Sequence, residues 1–497
     1  MLKKTLQRAL CAALSALTLC LPTFAIDTGL NTIPEFDGYE NHILIAPAPD
    51  LIPETQGDFL VEVNGAYVTF TDAVPKIRND RSCLPFVAVF EQLGFAEADM
   101  TWDHKTKTVT ATKDDLTVSL TIGKNEITLI RNGETTVIET DVAPYIEPSL
   151  SRTYIPFGLV ADALGYNVGW DDQLRAVIID DVDAILDSSK ETYELMNKYL
   201  DYSRSYAQKN CEVEGSYAMY MGMADVSSML ELLCSGEYSM LMSGSTDMQF
   251  TTDMYMDMAM TMDDADVTSE LLGEDADLFP LFIDMELRAD MKKGEFYLQS
   301  GTLSELMDQP GLENAWYKLN LAELFDSLDS TLGMDYASLM EMSLAMTEMD
   351  FEACLETMLK GCALTDASFT TRHYLDTINA LLADSAFERS GSTYTSTMET
   401  GGITTELTLY TSNSKVTGYA LTMSGDPNVL DGLMMEVEVS MQDDFMEAAM
   451  GIGMEGLMEL SFSMEGTYNT TKKSPATEPP RDAVVIDLMD LMGLPMI

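Results

Sequence analysis

The chain has 497 residues, 82 acidic against 28 basic, and a formal charge of −54. That excess of carboxylates excludes nucleic acid as a partner, because phosphates are repelled and no basic stripe offers counter-charge. It also disfavours anionic membrane surfaces and keeps the chain dispersed in solution.

At the start, Lys3, Lys4 and Arg8 precede an apolar run from Ala9 to Leu21, with small residues at Thr23 and Ala25. This is the pattern of a secretory signal peptide over residues 1–25, so the expected location is extracellular or cell-envelope associated. Leu19 before Cys20 argues against lipid attachment there, since that processing wants a small residue. Residues 26–57 hold Pro34, Pro47, Pro49 and Pro53 and little periodicity, which reads as an extended linker. Beyond the leader lie Cys83, Cys211, Cys234, Cys354 and Cys362. An odd number leaves at least one thiol unpaired or bonded to another chain, and a Cys211–Cys234 disulfide stays open.

Residues 58–182 contain a duplication. Asn64-Gly65, Asp72-x-x-Pro75, Arg81…Pro85-Phe86, Leu93-Gly94, Trp102-Asp103 and Val109 recur as Asn132-Gly133, Asp141-x-x-Pro144, Arg152…Pro156-Phe157, Leu164-Gly165, Trp170-Asp171 and Val177. Internal repetition of this kind marks a modular domain. Each copy predicts a helix opened by proline and closed by glycine. Phe86, Val89, Phe90 and Leu93 form one buried stripe, and Phe157, Val160, Ala161 and Leu164 form the other. Strands are expected at Thr108–Ala111, Leu116–Leu120, Glu126–Ile130 and Ala176–Ile179, giving a small α+β domain of antiparallel strands packed on short helices.

These residues resemble the copper amine oxidase N-terminal-like domain, a stalk module carried by many exported proteins of Gram-positive bacteria. The resemblance covers about Asp58 to Val182 and implies a spacer or binding module without catalysis. The family has Pro-Leu-Arg after the helix start; here the arginine positions are Val87 and Gly158, so no role of that arginine carries over. Amine oxidase chemistry needs copper on three histidines and a modified tyrosine. His42, His104 and His373 lie in separate segments, and the Asn-Tyr-Asp/Glu precursor is absent. No metal and no cofactor is therefore expected.

Residues 183–210 read as a connecting helix, with apolar positions at Ile185, Leu186, Leu195, Met196 and Tyr199. From residue 211 to about 470 methionine dominates, with 37 in the chain. Met254, Met256, Met258, Met260 and Met262 alternate with Tyr255, Asp257, Ala259 and Thr261, which places all five thioethers on one face of a strand. Further strands are expected at Tyr217–Met223, Glu237–Met242, Phe282–Arg288, Glu295–Gln299, Trp316–Leu319, Thr404–Tyr410, Val416–Met423, Leu433–Met441 and Leu460–Tyr468. Helices are expected at Leu321–Leu328, Tyr336–Met346, Phe351–Leu359 and Arg372–Leu382. The four-residue spacing of Met446, Met450, Met454 and Met458 suggests another, against which Gly451, Gly453 and Gly456 count. The fold class is thus α+β: a small duplicated domain, then a larger Met-rich curved antiparallel sheet with a helical layer, then a C-terminal segment (471–497). With Ala315-Trp316-Tyr317-Lys318 before an amphipathic helix, and the ending Gly466-Thr467-Tyr468…Pro479-Pro480-Arg481-Asp482-Ala483, the rear region resembles the LolA/LppX-like half-barrel of envelope lipoproteins.

The methionine face has three readings. It is a core filled by flexible thioethers, or an adaptable cavity for a lipid or other apolar ligand lined by the five methionines, or a Cu(I) site, which the linear array of sulfurs disfavours. EF-hand spacing is absent, as are Gly-x-Ser-x-Gly, His-Glu-x-x-His and phosphate-loop motifs. The expectation is an exported, non-enzymatic binding or scaffolding protein, taking an apolar ligand or a cell-wall component. The alternatives are a cell-wall hydrolase with two opposed acids about 5–10 Å apart, or a pure spacer. The sequence sets no oligomeric state.

Overall fold

The computed structural model describes residues 57–488, apart from 226–227, 245–247, 263–280, 303–313, 328–335, 363, 366, 368, 431 and 455. The expected signal peptide and the proline-rich arm up to residue 56 lie outside the described residues. The chain divides into two compact units. One comprises Leu44–Thr192 with Glu352–Ala380, the other chiefly Tyr193–Phe351 with Leu381–Ile497.

In the first unit each repeat runs hairpin, hairpin, helix, hairpin. Copy one comprises β1 (Leu60–Val63), β2 (Ala66–Tyr67), β3 (Lys76–Arg78), β4 (Arg81–Pro85), α1 (Phe86–Gln92), β5 (Met100–Asp103) and β6 (Thr108–Lys113). After β7 (Leu116–Thr121), copy two comprises β8 (Glu126–Arg131), β9 (Glu134–Glu139), β10 (Tyr145–Glu147), β11 (Arg152–Pro156), α2 (Phe157–Leu164), β12 (Asn167–Asp171) and β13 (Ala176–Asp180). The copies interlock. Their central strands β4 and β11 pair antiparallel, with Ile155 opposite Leu84. The outer sheets exchange hairpins: β12-β13-β1-β2 joins the end of copy two to the start of copy one, and β5-β6-β7-β8-β9 does the reverse through β7.

The repeated residues explain the symmetry. The Arg81 Nε donates to Asp141 at 2.8 Å and the Arg152 Nε to Asp72 at 2.7 Å, each arginine reaching the turn of the other copy. Both pairs are half exposed, so they align the copies more than they stabilise them. Gly94 and Gly165 take φ of 83° and 80°. Beyond them the Phe95 and Tyr166 amides reach back to the Phe90 and Ala161 carbonyls at 3.0 Å, as a left-handed helix cap requires. The stripes of α1 and α2 meet in one core with Phe59, Val61, Val63, Val118, Ile127 and Ile179. Cys83 is fully buried beside Tyr154.

The expected connecting helix is two helices, α3 (Val182–Ser189) and α4 (Glu194–Ala207), separated where Lys190 takes a left-handed φ of 59°. Asp384 caps α4, its carboxylate accepting from the Glu194 and Leu195 amides at 2.9 Å.

The second unit is built on one curved antiparallel sheet. Its first strands are β14 (Cys211–Asp225), β15 (Ser228–Met242), β16 (Gln249–Met262), β17 (Leu281–Asp290), β18 (Glu295–Gln299) and β19 (Trp316–Asn320). After α5 (Leu321–Ser327) and α6 (Tyr336–Met346), β20 (Glu388–Ser390), β21 (Thr393–Thr400), β22 (Ile403–Ser412), β23 (Lys415–Gly425), β24 (Leu433–Gln442), β25 (Phe445–Met454), β26 (Met458–Thr470) and β27 (Val485–Asp487) follow. The sheet order is β20 to β26, then β14 to β19, then β27; β26 beside β14 makes the one sequence-distant antiparallel junction. Alternation is strict: Met240, Met254, Met256, Met258, Met285, Met441, Met446 and Met464 all enter one core with Tyr217, Tyr238, Phe250 and Phe462. Helix α4 packs on this face, Tyr199 edge-on to Tyr419 and Tyr206 edge-on to Tyr468.

The helix suggested for Met446–Met458 is not formed. Met446 and Met450 lie on β25, and Met454 and Met458 end and begin the strands of a hairpin. A spacing of four returns to the same face of a strand as well as of a helix, and the surrounding glycines favour the strand.

Two helices expected to cover the methionine sheet instead place residues 352–380 in the first unit. These are α7 (Phe351–Gly361) and α8 (Thr371–Leu382). The returning segment lies on the outer face of β12-β13-β1, where Leu364 and Ala367 cluster with Leu60, Ala176 and Ile178. The Leu359 carbonyl accepts from the Asn167 side chain at 2.5 Å, and the Leu364 carbonyl from the Trp170 amide at 3.1 Å. Asp171 accepts from the Ala367 amide at 2.9 Å.

Candidate functional site

Met254, Met256 and Met258 are 7%, 4% and 7% exposed and sit inside the core of the large sheet. Met260 and Met262 continue β16, but their side chains lie outside the described residues. The recess on this side, lined by Tyr199, Tyr202, Tyr206, Cys211 and Tyr419 among others, holds only about 40 Å³.

The large cavity is on the opposite, polar face. A trough of about 840 Å³ crosses β26, β14, β15, β16, β17 and β18. Two neighbouring rows of side chains build it, and strand register fixes both. One row runs Thr467, Glu214, Ser239, Asp253, Glu286, Gln299, and the other Glu465, Ser216, Glu237, Tyr255, Asp284. The same alternation that turns methionine inward turns these residues outward. Among the described residues the trough lining contains no Lys, Arg, His or Cys. Tyr255 and Phe445, 48% and 38% exposed, supply aromatic faces.

Glycine permits the floor to close. A Cβ on Gly215 would meet the Glu465 carbonyl oxygen at 1.9 Å and the Tyr238 ring at 2.7 Å. Tyr238 occupies that space and its hydroxyl donates to the Glu465 carbonyl at 3.1 Å.

The electrostatics of the rows are unusual for a sheet. Asp253 stands directly opposite Glu286 across β16 and β17, and Glu465 opposite Glu447 across β26 and β25. Like charges in this position are destabilising. The Asp253 carboxyl is held above its ordinary range, first by burial and then by the Glu286 charge, with Arg288 opposing. Arg288 bonds Glu286 at 2.7 Å and lies over the Trp316 ring at 4.6 Å. Glu465 accepts from the Ser216 hydroxyl at 3.0 Å. Among the described residues no three His, Cys, Asp or Glu side chains converge as a metal cage needs. The carboxylates are spread along rows, which suits an extended ligand better than a single ion.

Other residues singled out in the sequence lie elsewhere. His104 accepts from the Trp102 indole at 3.1 Å in the β5–β6 turn, and His373 lies beside the Thr370 hydroxyl at 3.1 Å. All five described cysteines are free thiols. The open Cys211–Cys234 disulfide is ruled out by register: Cys234 opposes Met219, and Cys211 lies eight residues further along that strand, about 27 Å away at ~3.4 Å per residue. Local sequence could reveal the acidic strands but not which carboxylates share a row, because that depends on pairing between strands far apart in the chain.

No curated protein and no solved structure matches this chain. Residues 62–179, roughly a quarter of the chain, match the family model described as the copper amine oxidase N-terminal domain. The matched stretch takes in both Pro-Phe helices, both Leu-Gly caps and both Trp-Asp turns, so the front module is similar to that domain, which in amine oxidases is the non-catalytic N-terminal part.

Proposed function

We propose that the chain is an exported, non-catalytic binding protein. Its front module serves as a stalk, and its rear sheet presents the acidic trough to an extended cationic ligand, such as an amine-bearing wall polymer or a basic peptide segment. One observation carries the reading: Asp253 faces Glu286 across paired strands within a wide open trough, and Glu465 of its lining faces Glu447 on the neighbouring strand, at a cost in stability that a cationic partner offsets. Tyr255 and Phe445 add faces on which ammonium groups can rest. The burial of Met254, Met256 and Met258 favours a structural role for that face over an apolar ligand.

The test is binding of oligolysine, with N-acetylated oligolysine as the neutral control, to the full chain and to Glu214→Gln/Asp253→Asn/Glu286→Gln. The expected loss is at least tenfold. A second triple variant, Glu406→Gln/Glu436→Gln/Glu438→Gln, removes the same charge from exposed positions on β22 and β24. Equal losses in both variants would mean that net charge alone attracts the probe, and the trough reading would fail.

A rival reading, hydrolysis of wall polymer by paired carboxylates, draws on Asp253 and Glu286, which stand opposite each other, with burial holding the Asp253 carboxyl above its ordinary range. Release of soluble fragments from purified wall by the chain, lost in Asp253→Asn, would replace the binding reading with that one.

A further inference from the structure

Beneath the returning segment lies a group of buried polar atoms that the trough does not involve. Glu62 on β1 is 1% exposed and Asp180 at the end of β13 is 0% exposed. The strands run parallel with Glu62 opposite Ile178, so Asp180 stands one step further along the same face. Both Glu62 carboxyl oxygens and the Asp180 Oδ1 are buried without a hydrogen-bond partner at normal geometry among the described residues, and the buried Thr371 hydroxyl lies beside Asp180. The other Asp180 oxygen accepts from the Thr371 amide at 2.9 Å. Thr371 is the first residue of α8, so Asp180 caps the start of that helix from across the interface.

Two fully buried carboxylates side by side cannot both stay ionised, and buried acceptors without donors are costly. The two acids are not equivalent. Burial pushes the Asp180 carboxyl up as well, but the Thr371 side chain and amide, the Asn64 backbone and the Arg372 charge all pull it back. Glu62 has burial and the Asp180 charge acting against its ionisation, with the Gly65 amide opposing them, and its carboxyl is pushed up to about 8. The surrounding charged and titratable groups do not replace a missing donor. Asp181 is engaged with Lys113 at 3.8 Å, Arg372 donates to Ser188 at 3.1 Å, His373 is turned to Thr370, and Tyr67 is the cross-strand neighbour of Glu62 on β2.

We propose that Glu62 and Asp180 share one proton, Glu62 donating to the free oxygen of Asp180, and that this protonated pair is a latch holding residues 352–380 on the front module. With the proton in place Asp180 remains anionic and grips the start of α8. When hydroxide removes the proton, two buried anions face each other, water enters, and the cap on α8 is lost. The sign follows from linkage. The folded pair holds a proton that the unfolded chain, with Glu62 near 4.5, has already released. The docked state is therefore favoured at lower pH and weakens as pH rises from about 4.5 through 8. The latch rests on the front unit alone and is independent of the trough.

Hydrogen–deuterium exchange of the full chain between pH 5.5 and 9.5, corrected for intrinsic rates, tests it. Amides of residues 367 and 370–375 are expected to lose at least tenfold protection between pH 7 and 9, while β14 to β17 keep theirs. Glu62→Gln, neutral at every pH and still able to donate to Asp180, is expected to flatten the profile. Identical profiles in the two proteins would overturn the latch. So would protection at pH 7 that is lost with EDTA and restored by calcium, which would place a cation between the acids. Wild-type chain alone provides a further check: an infrared carbonyl band of a buried protonated carboxyl present at pH 7 and absent at pH 9.5 is expected, and its absence at pH 7 refutes the sharing.

Discussion

Gly169→Ala is the most direct probe of how the returning segment is seated. A Cβ on Gly169 would lie 1.7 Å from the Leu364 carbonyl oxygen and 2.4 Å from the Leu364 Cβ, both far inside van der Waals contact. The obstruction is backbone, so no rotamer change relieves it and the segment must retreat from β12. Retreat breaks the Trp170–Leu364 hydrogen bond, costing about 0.5–1.5 kcal/mol. It also breaks the bond from the Ala367 amide to Asp171, about 1.5–3 kcal/mol because the acceptor is charged. Together these amount to roughly 2–4.5 kcal/mol of local stability, or about 30- to 2,000-fold faster exchange at ~1.36 kcal/mol per decade. The assay is amide exchange at Trp170 and Ala367 in wild-type and variant chains at fixed pH. Gly158→Ala is the matched control, since Gly158 lies within α2 and a Cβ there meets nothing. It is expected to leave the segment untouched and to stabilise α2 by up to about 1 kcal/mol. Exchange in Gly169→Ala within threefold of wild type would show that residues 352–380 are not docked on this edge.

Two further predictions concern the rear unit. Met256→Leu preserves volume in the core and is expected to cost under about 1.5 kcal/mol in urea denaturation, whereas Met256→Ala is expected to cost about 2–5 kcal/mol; equal small losses would argue that the methionine face is loosely filled. Asp384→Ala removes the acceptor for the Glu194 and Leu195 amides and is expected to destabilise the start of α4 by about 0.5–2 kcal/mol, read as faster exchange at Asn197 and Lys198; no change there would discount the cap.

Much was legible from local pattern. The Leu-Gly ends of α1 and α2, the Trp-Asp turns and the two-residue rhythm of Met254 to Met258 each reflect a constraint acting within a few residues: a left-handed cap, a tight turn, alternate faces of a strand. The duplication exposed the front module because symmetry repeats those local constraints in order, down to the aspartates of the two Asp-x-x-Pro turns that receive the opposite copy's arginine. Met446 to Met458 misled for a related reason, since one spacing satisfies two geometries and only strand pairing separates them.

Composition and periodicity could say which side chains turn inward and outward, but not what they meet. The exchange of hairpins between copies, the rows of carboxylates across six strands, and the union of Glu62, Asp180 and Thr371 depend on pairing between residues tens to hundreds of positions apart. Such contacts leave no local period, because their energy resides in surfaces that exist only after the chain has folded. The sequence by itself thus determined two kinds of unit and their inward faces; tertiary structure alone decided where the acids were crowded together.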